Sequence, residues 1–217
     1  MDKKPVISII GGTGSLGTGL AKRLAVNGYT VILGSRDLER AQEVAEELNQ
    51  ELGVDLVSGM LNPDAARAAD VNILSVVQSA HQVALESLNE DLQGKMLIDA
   101  TARISFPNPT PPDPPSAPRK AQNILGDGVP VVAAFQNIAA ESLSNLDKEI
   151  ESDILVCSDD SDAARKTVDL IKDIGMNAYY AGDLDVANTV EGLTAILVNI
   201  NKYNGIDHAS IRITGEE

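Results

Sequence analysis

The sequence predicts an α/β protein built on a doubly wound, mainly parallel sheet. Two observations carry this prediction. Short apolar segments of strand type alternate with helical patterns along nearly the whole chain, and such alternation produces parallel strands joined by right-handed crossovers. A glycine-rich turn also joins the first strand to the first helix, as in sheets that bind nucleotides at their carboxyl edge.

The first strand, turn and helix match a dinucleotide-binding fingerprint. Four apolar residues among the five of 6–10 predict a buried strand, and Gly12-Thr13-Gly14-Ser15-Leu16-Gly17 follows with the spacing G-x-G-x-x-G. We expect Gly12 to permit the tight turn, Gly14 to let a pyrophosphate approach the backbone, and Gly17 to let the helix pack on the strand. The free N–H groups of the helix N-terminus would then face the phosphates. The first half of the chain is therefore predicted to be of the Rossmann type.

The end of the second strand favours NADP over NAD. Residues 29–33 predict this strand, and its tip should face the adenosine ribose, where NAD-binding proteins carry an Asp or Glu. This chain has Ser35 and Arg36 there, with Arg40 one helical turn later. A hydroxyl and two guanidinium groups suit a 2′-phosphate. The nearby Asp37 is expected to cap a helix over residues 38–52.

The following segments continue the alternation. Strands are predicted over residues 55–59, 71–77, 96–100 and 129–135, with helices over 62–69 and from 78 to about 88. The ends of the fourth, fifth and sixth strands should line the crevice that receives the nicotinamide.

The last third of the chain predicts a smaller α/β part. Strands are expected over 154–157 and 177–181 with a helix over 161–174 between them, and an apolar stripe over 183–201 has helical spacing. We therefore divide the chain into an NADP-binding domain over 1–150 and a C-terminal α/β subdomain over 151–217 that ends in a long helix.

A proline-rich segment, residues 106–115, separates the fifth and sixth strands. Proline lacks the N–H and fixes φ, so this segment is predicted to be neither a helix nor a central strand. Two interpretations stay open: a stiff surface excursion, or a lip over the site, since long loops in compact domains are often functional.

Composition limits the partners. The net charge of −15 argues against nucleic acid or an anionic membrane as a partner. The single cysteine, Cys157, rules out an internal disulfide, fits a reducing cytosol and follows an apolar run, so we expect it to be buried. Neither a membrane-spanning run nor a signal peptide is apparent, so we expect a cytoplasmic protein.

Catalytic side chains are sparse in the sequence. The two histidines, His81 and His208, belong to no recognisable triad, and no His, Cys and carboxylate cluster suggests a metal. The pair Asp159-Asp160 is expected to cap a helix. We therefore predict neither a catalytic side chain nor a metal site. Direct hydride transfer between two cofactors fits this pattern, because the cofactors carry the chemistry and the protein aligns them.

The segment 11–17 followed by Gly34-Ser35-Arg36 resembles the NADPH-dependent reductases of coenzyme F420, a deazaflavin. The similarity spans nearly the whole chain and includes residues 134–140, 156–160 and 190–194. The resemblance implies hydride transfer between NADP(H) and coenzyme F420, with the deazaflavin stacked on the nicotinamide. It also implies a homodimer and an acceptor site built through the C-terminal part.

The resemblance assigns roles to individual positions: Thr13, Gly14, Ser15 and Leu16 to the pyrophosphate, Ser35, Arg36 and Arg40 to the 2′-phosphate, Val76, Val77 and Gln78 to the nicotinamide, Ala140 to its carboxamide and Thr194 to the deazaflavin side. Some relatives have an aromatic, a histidine and a serine where this chain has Gln78, Gln136 and Gly192. These differences concern the acceptor rather than the NADPH site.

Two other functions remain alternatives at this point: an NADPH-dependent reductase of a flavin, a ferric chelate or an organic substrate, and a non-catalytic NADPH-binding sensor. If the acceptor carries an anionic tail, Arg103, Arg119 and Lys120 are the candidate cations near the crevice.

Overall fold

The computed structural model describes residues 4–215, and its strands form one eight-stranded sheet. The strands are β1 (Ile7–Ile10), β2 (Val31–Ser35), β3 (Val57–Leu61), β4 (Val71–Leu74), β5 (Met96–Asp99), β6 (Val131–Ala133), β7 (Ile154–Ser158) and β8 (Ala178–Gly182). The helices are α1 (Ser15–Val26), α2 (Leu38–Leu52), α3 (Asn62–Ala68), α4 (His81–Leu92), α5 (Ala117–Leu125), α6 (Ala140–Ser144), α7 (Ser161–Asp173) and α8 (Ala187–Asn204).

The sheet confirms the predicted doubly wound, mainly parallel architecture. Its strand order is β3-β2-β1-β4-β5-β6-β7-β8. The pairs from β3 through β6 are parallel, β7 runs antiparallel to β6, and β8 is parallel to β7. The chain builds outward from β1 in one direction and then from β4 in the other. This reversal opens a crevice beyond the carboxyl ends of β1 and β4.

Helices cover both faces of the sheet. Successive residues of β1 point to opposite faces, so Ile7 and Ile9 belong to the core that includes side chains of α1, α2 and α7, and Ile10 belongs to the core that includes side chains of α4, α5 and α8. All three isoleucines are fully buried. Burial on both faces explains why the central strands have continuous apolar sequences.

The predicted elements differ from the structure mainly at their ends. The helix over 38–52 has the predicted bounds, whereas the fourth strand stops at Leu74 and the sixth spans only Val131–Ala133. The residues after both strands leave the sheet and line the crevice at its carboxyl edge. Several of these residues are apolar too, so the apolar sequence runs on past the end of each strand.

Two helices were not predicted. The first, α5, begins directly after the proline-rich segment, with Pro118 in its first turn and Ser116 accepting a hydrogen bond from the N–H of Arg119. Proline is tolerated there because first-turn N–H groups have no helical partner. The second, α6, has five residues, too few for a periodic pattern.

The last two strands extend the same sheet. The division into 1–150 and 151–217 therefore falls in the loop before β7 and stays a prediction, and residues 1–3 and 216–217 of these ranges lie outside the described residues. Within residues 4–215, none of the helices has the length and apolar character needed to span a membrane.

Candidate functional site

The glycine turn places the N-terminus of α1 at the crevice. Gly11 has φ of +72°, so Gly11 adopts the left-handed conformation of the turn. The sequence predicted that Gly12, one position later, would permit the tight turn. A Cβ on Gly12 would lie 2.7 Å from the carbonyl oxygen of Ile9, and one on Gly17 would lie 2.5 Å from the carbonyl oxygen of Gly12. Both positions therefore require glycine, because the turn folds back tightly on β1 and on α1.

Gly14 faces open space. It is the N-cap residue of α1 and provides no side-chain cap, and a Cβ built on it would meet no atom within 4 Å. The first-turn N–H groups of α1 consequently have no capping side chain. This combination of open space and free donors suits a pyrophosphate, so the turn fits the dinucleotide predicted for it.

Residues from five separate segments meet at a cavity of about 370 Å³ beside this turn. The cavity lies beyond the carboxyl ends of β1, β4, β5 and β6, where the fold predicts the nicotinamide. The predicted site residues among its lining are Gly14, Ser15, Leu16, Val76, Val77, Ala140 and Thr194. We call this cavity the nicotinamide crevice.

Hydrogen bonds fix the wall of the nicotinamide crevice formed after β6. The Thr194 hydroxyl donates to the carbonyl oxygen of Gln136 at 2.8 Å and accepts from Nδ2 of Asn137 at 3.1 Å. Nε2 of Gln136 donates to the carbonyl oxygen of Asp99 at 2.8 Å. The long helix α8 is thereby tied to the segment after β6 at the crevice itself.

Phe135 marks this wall as strained. It has φ of +72° and is 2% exposed. A bulky residue in the left-handed region costs on the order of 1–3 kcal/mol, and such residues cluster at functional sites. Its conformation turns the chain sharply between β6 and Gln136, and no sequence pattern indicated it.

Gln78 lies in a neighbouring depression rather than in the nicotinamide crevice. This depression measures about 570 Å³, and its lining includes Val77, Gln78, Ile104 and Phe106. Four residues line both spaces: Val76, Val77, Ala102 and Ile104. The two spaces are therefore neighbours that share a wall, and we call the second one the acceptor depression.

The tip of β2 adjoins the glycine turn, because the N–H of Gly12 donates to the carbonyl oxygen of Gly34 at 2.9 Å. Ser35 is 8% exposed, and its Oγ accepts from the N–H of Asp37. Arg36 is exposed and makes no ion pair with any residue in the range 4–215. Arg40 forms an ion pair with Glu43, with 3.7 Å between its Nη1 and Oε2 of Glu43. Asp37 caps α2 as predicted, accepting from the N–H of Arg40.

A buried His81–Asp99 pair was not predicted. Nε2 of His81 lies 2.7 Å from Oδ2 of Asp99, and the N–H of Thr101 donates to the other carboxylate oxygen. The Asp99 side chain is fully buried and His81 is 5% exposed. The pair joins the first turn of α4 to the end of β5, and neither residue lines the nicotinamide crevice. The sequence did contain one signal for this pair: a histidine follows one predicted strand and an aspartate ends the next, so both lie near the same edge of the sheet.

Three cations were candidates to bind an anionic tail of the acceptor, and two of them form ion pairs within the chain. Arg103 forms a two-point ion pair with Glu191, with both N–O distances at 2.8 Å. Arg119 pairs with Asp159 and Asp185, and the hydrogen bond from Arg119 lowers the pKa of the Asp159 carboxyl. Both guanidinium groups are thus committed within the chain. Lys120 is exposed.

The expected helix cap is confirmed for Asp160 but not for Asp159, whose carboxylate accepts from Arg119 and from the N–H of Leu184. The expected burial of Cys157 is confirmed. Asp160 caps α7 by accepting from the N–H groups of Asp162 and Ala163, both at 2.9 Å. Cys157 is fully buried, and this burial raises the pKa of its thiol to about 11, which leaves the thiolate unpopulated at neutral pH.

The doubly wound sheet, the glycine turn and the crevice at the strand-order reversal define a dinucleotide-binding protein of the Rossmann type. Comparison with known proteins narrows this class. Residues 6–103 match the family model described as NADP oxidoreductase, coenzyme F420-dependent.

Full-length relatives agree with that match. The chain is 39% identical to an F420-dependent NADP reductase of Methanothermobacter thermautotrophicus, covering 96% of this chain and 94% of the relative. It is 38% identical to the F420-dependent NADP reductase of Methanothermobacter marburgensis, covering 96% and 97%. A crystal structure from Arthrobacter sp. FB24, solved as a candidate F420-dependent NADP-reductase, superposes with a TM-score of 0.83 at 22% identity over 98% of this chain and 100% of that one. The chain belongs to the F420-dependent NADP reductase family.

Proposed function

We propose that this chain transfers a hydride between NADP(H) and coenzyme F420. Family membership supports both cofactors, and the observation that carries the proposal is the nicotinamide crevice adjoining a second, open depression. The two spaces adjoin at four common lining residues, so rings bound in them would lie side by side, as direct transfer requires. When both are bound, NADPH gives up a hydride to become NADP⁺, and the deazaflavin takes that hydride and a proton from water.

The chain's own residues bind and align the cofactors. The N–H groups at the start of α1 receive the pyrophosphate, and Gly14 leaves the space for it. Val76, Val77 and Ala140 form an apolar wall for the nicotinamide, and Thr194 ties α8 to the wall of the same crevice. Alignment of two reacting rings is itself a large contribution to rate.

Ser35, Arg36 and Arg40 are proposed to hold the 2′-phosphate of NADP. They lie at the tip of β2, beside the glycine turn, and Arg36 has no ion-pair partner within residues 4–215 to compete with a phosphate. A guanidinium can give paired, charge-assisted hydrogen bonds to phosphate. NADP is therefore preferred over NAD.

Anaerobic mixing tests this function. Purified protein with NADPH and oxidised F420 should lose the deazaflavin absorbance, and NADH should support a much slower loss. Flavin mononucleotide and a ferric chelate serve as competing acceptors in parallel. Faster turnover on either of them would overturn the proposal, and NADPH binding without turnover on any acceptor would favour a sensor.

We also propose that the protein is a cytoplasmic homodimer assembled through α8 and the tail, residues 206–214. Four large apolar side chains of this part are exposed: Ile196, Tyr203, Ile206 and Ile213. Burying them between two copies would form an isologous two-fold interface. Sedimentation at micromolar concentration should give twice the mass of one chain, and a monomer would contradict this assembly.

A further inference from the structure

The loop from β5 to α5, residues 100–116, is held against α8. Nδ2 of Asn199 donates to the carbonyl oxygen of Pro109 at 2.9 Å, and Nδ2 of Asn188 donates to that of Pro112 at 3.3 Å. A Cβ on Gly192 would lie 3.2 Å from Cβ of Pro111, so the absence of a side chain lets the loop pack closely on the helix. These contacts fasten the second half of the loop to α8.

Glu191 fixes both ends of this loop. Its carboxylate is fully buried and accepts from the backbone N–H of Arg103, near the start of the loop, at 2.7 Å, and from that of Ala117, directly after the loop, at 3.2 Å. The same carboxylate holds the Arg103 guanidinium. A buried carboxylate with this many donors is well compensated for its desolvation. The side chains of the loop therefore have fixed positions relative to α8.

Phe106 stands on this fastened loop with its ring exposed. Phe106 is 73% exposed and Val77 is 71% exposed, and both line the acceptor depression. Ile104, two residues earlier, lines the acceptor depression and the nicotinamide crevice. An exposed aromatic ring on a loop fixed by so many contacts leaves apolar surface uncovered beside the cofactor crevice.

We propose that Phe106 contacts the ring system of the hydride acceptor and makes the acceptor depression selective for planar aromatic acceptors. This inference rests on the proposed function. A phenyl ring held beside the crevice gains from an aromatic partner through offset or edge contacts as well as through apolar burial. The deazaflavin ring offers such a partner, whereas a compact ferric chelate does not. Glu191 acts through the loop as a positioning residue for Phe106.

Calorimetric titration of oxidised F420 into protein saturated with NADP⁺ tests this role without turnover. Phe106→Ala should raise the Kd for F420 about five- to tenfold, the range expected for a lost aromatic contact, and leave the Kd for NADP⁺ within about twofold of the parent. Phe106→Tyr should keep the parent Kd, and Phe106→Leu should give an intermediate value. Tyr179→Ala, an exposed aromatic on the edge strand β8, is the matched control and should change neither constant.

An unchanged Kd for F420 in Phe106→Ala would overturn the inference. Equal weakening of F420 and NADP⁺ would also overturn it, because that result indicates a general disturbance of the site. Failure of the proposed function is recognised separately, since the parent protein would then neither bind nor reduce F420.

Discussion

In the proposed function, single residues select NADP through charge. Arg36 lies at the tip of the strand next to β1, and its guanidinium has no carboxylate partner within the described part of the chain. A 2′-phosphate placed there would be its main electrostatic partner. The charge is exposed, so its effect is a difference between two ligands rather than a contribution to folding.

Replacing Arg36 with Ala should weaken NADPH binding by on the order of 1.5–3 kcal/mol, as expected for a lost charged hydrogen bond. NADH binding should change little, because NADH has no 2′-phosphate. Titration of both nucleotides measures the difference, with Arg165→Ala on α7 as a control for loss of a surface arginine. Equal losses for the two nucleotides would contradict the assignment.

Two glycines of the turn should respond to substitution in opposite ways. Gly14→Val should leave the protein folded, because its Cβ would face open space, but should abolish NADPH binding by filling that space. Gly17→Ala should lower the free energy of unfolding, because its Cβ would lie 2.5 Å from backbone atoms of Gly12. Urea unfolding and nucleotide titration separate the effects. A folded Gly14→Val protein with parent affinity would mean that the fingerprint was misread.

At the scale of elements, α8 connects the β5–α5 loop to the crevice through the Arg103–Glu191 pair. Removing one partner of a buried ion pair costs roughly 3–5 kcal/mol, because the other charge is left uncompensated. Glu191→Ala should therefore lower the free energy of unfolding by about 3 kcal/mol.

The double variant Arg103→Met with Glu191→Leu should recover part of that stability, since no charge is then left uncompensated, although two backbone N–H groups lose their acceptor. It should still raise the KM for F420, because the backbone N–H groups of Arg103 and Ala117 lose their acceptor. Unfolding curves measure the stability, and steady-state kinetics measure the KM for F420. A double variant with the parent KM for F420 would show that the loop needs no such anchor.

The Arg119–Asp159 pair joins α5 to the end of β7 and gives a pH dependence. The pKa of Asp159 is lowered in the folded state by its hydrogen bonds from Arg119. The pair therefore stabilises the fold above the ordinary Asp pKa of about 3.9, and this contribution is lost as the pH falls through the lowered folded value. Asp159→Asn should be less stable than the parent at pH 7, and the difference should shrink below about pH 4. A constant difference in urea unfolding at both pH values would contradict this explanation.

The sequence predicted the elements whose patterns are local. The strand and turn of residues 6–17, the helix over 38–52 and the cap at Asp160 follow from apolar periodicity and capping chemistry. The Arg103–Glu191 pair could not be predicted, because its partners are 88 residues apart and meet only after α8 packs on the sheet. The His81–Asp99 pair and the left-handed Phe135 likewise depend on tertiary contacts.

At the scale of the whole molecule, one sheet positions two adjacent spaces beyond its carboxyl edge. The glycine turn and β2 form the side proposed for NADP, and residues of the segments after β4 and β5 line the acceptor depression. Neither space is lined by the buried His81–Asp99 pair. In the proposed function the chemistry is direct transfer between two aligned rings.

The fate of a labelled hydrogen tests this central claim most directly. NADPH carrying deuterium at the transferred position of C4 should be mixed anaerobically with the protein and oxidised F420 in ordinary water. The transferred hydrogen becomes bound to carbon in the reduced deazaflavin, where it does not exchange with water, so mass spectrometry of the product should show one deuterium per molecule. A reduced F420 without deuterium, or no reduction at all, would contradict direct hydride transfer by this protein.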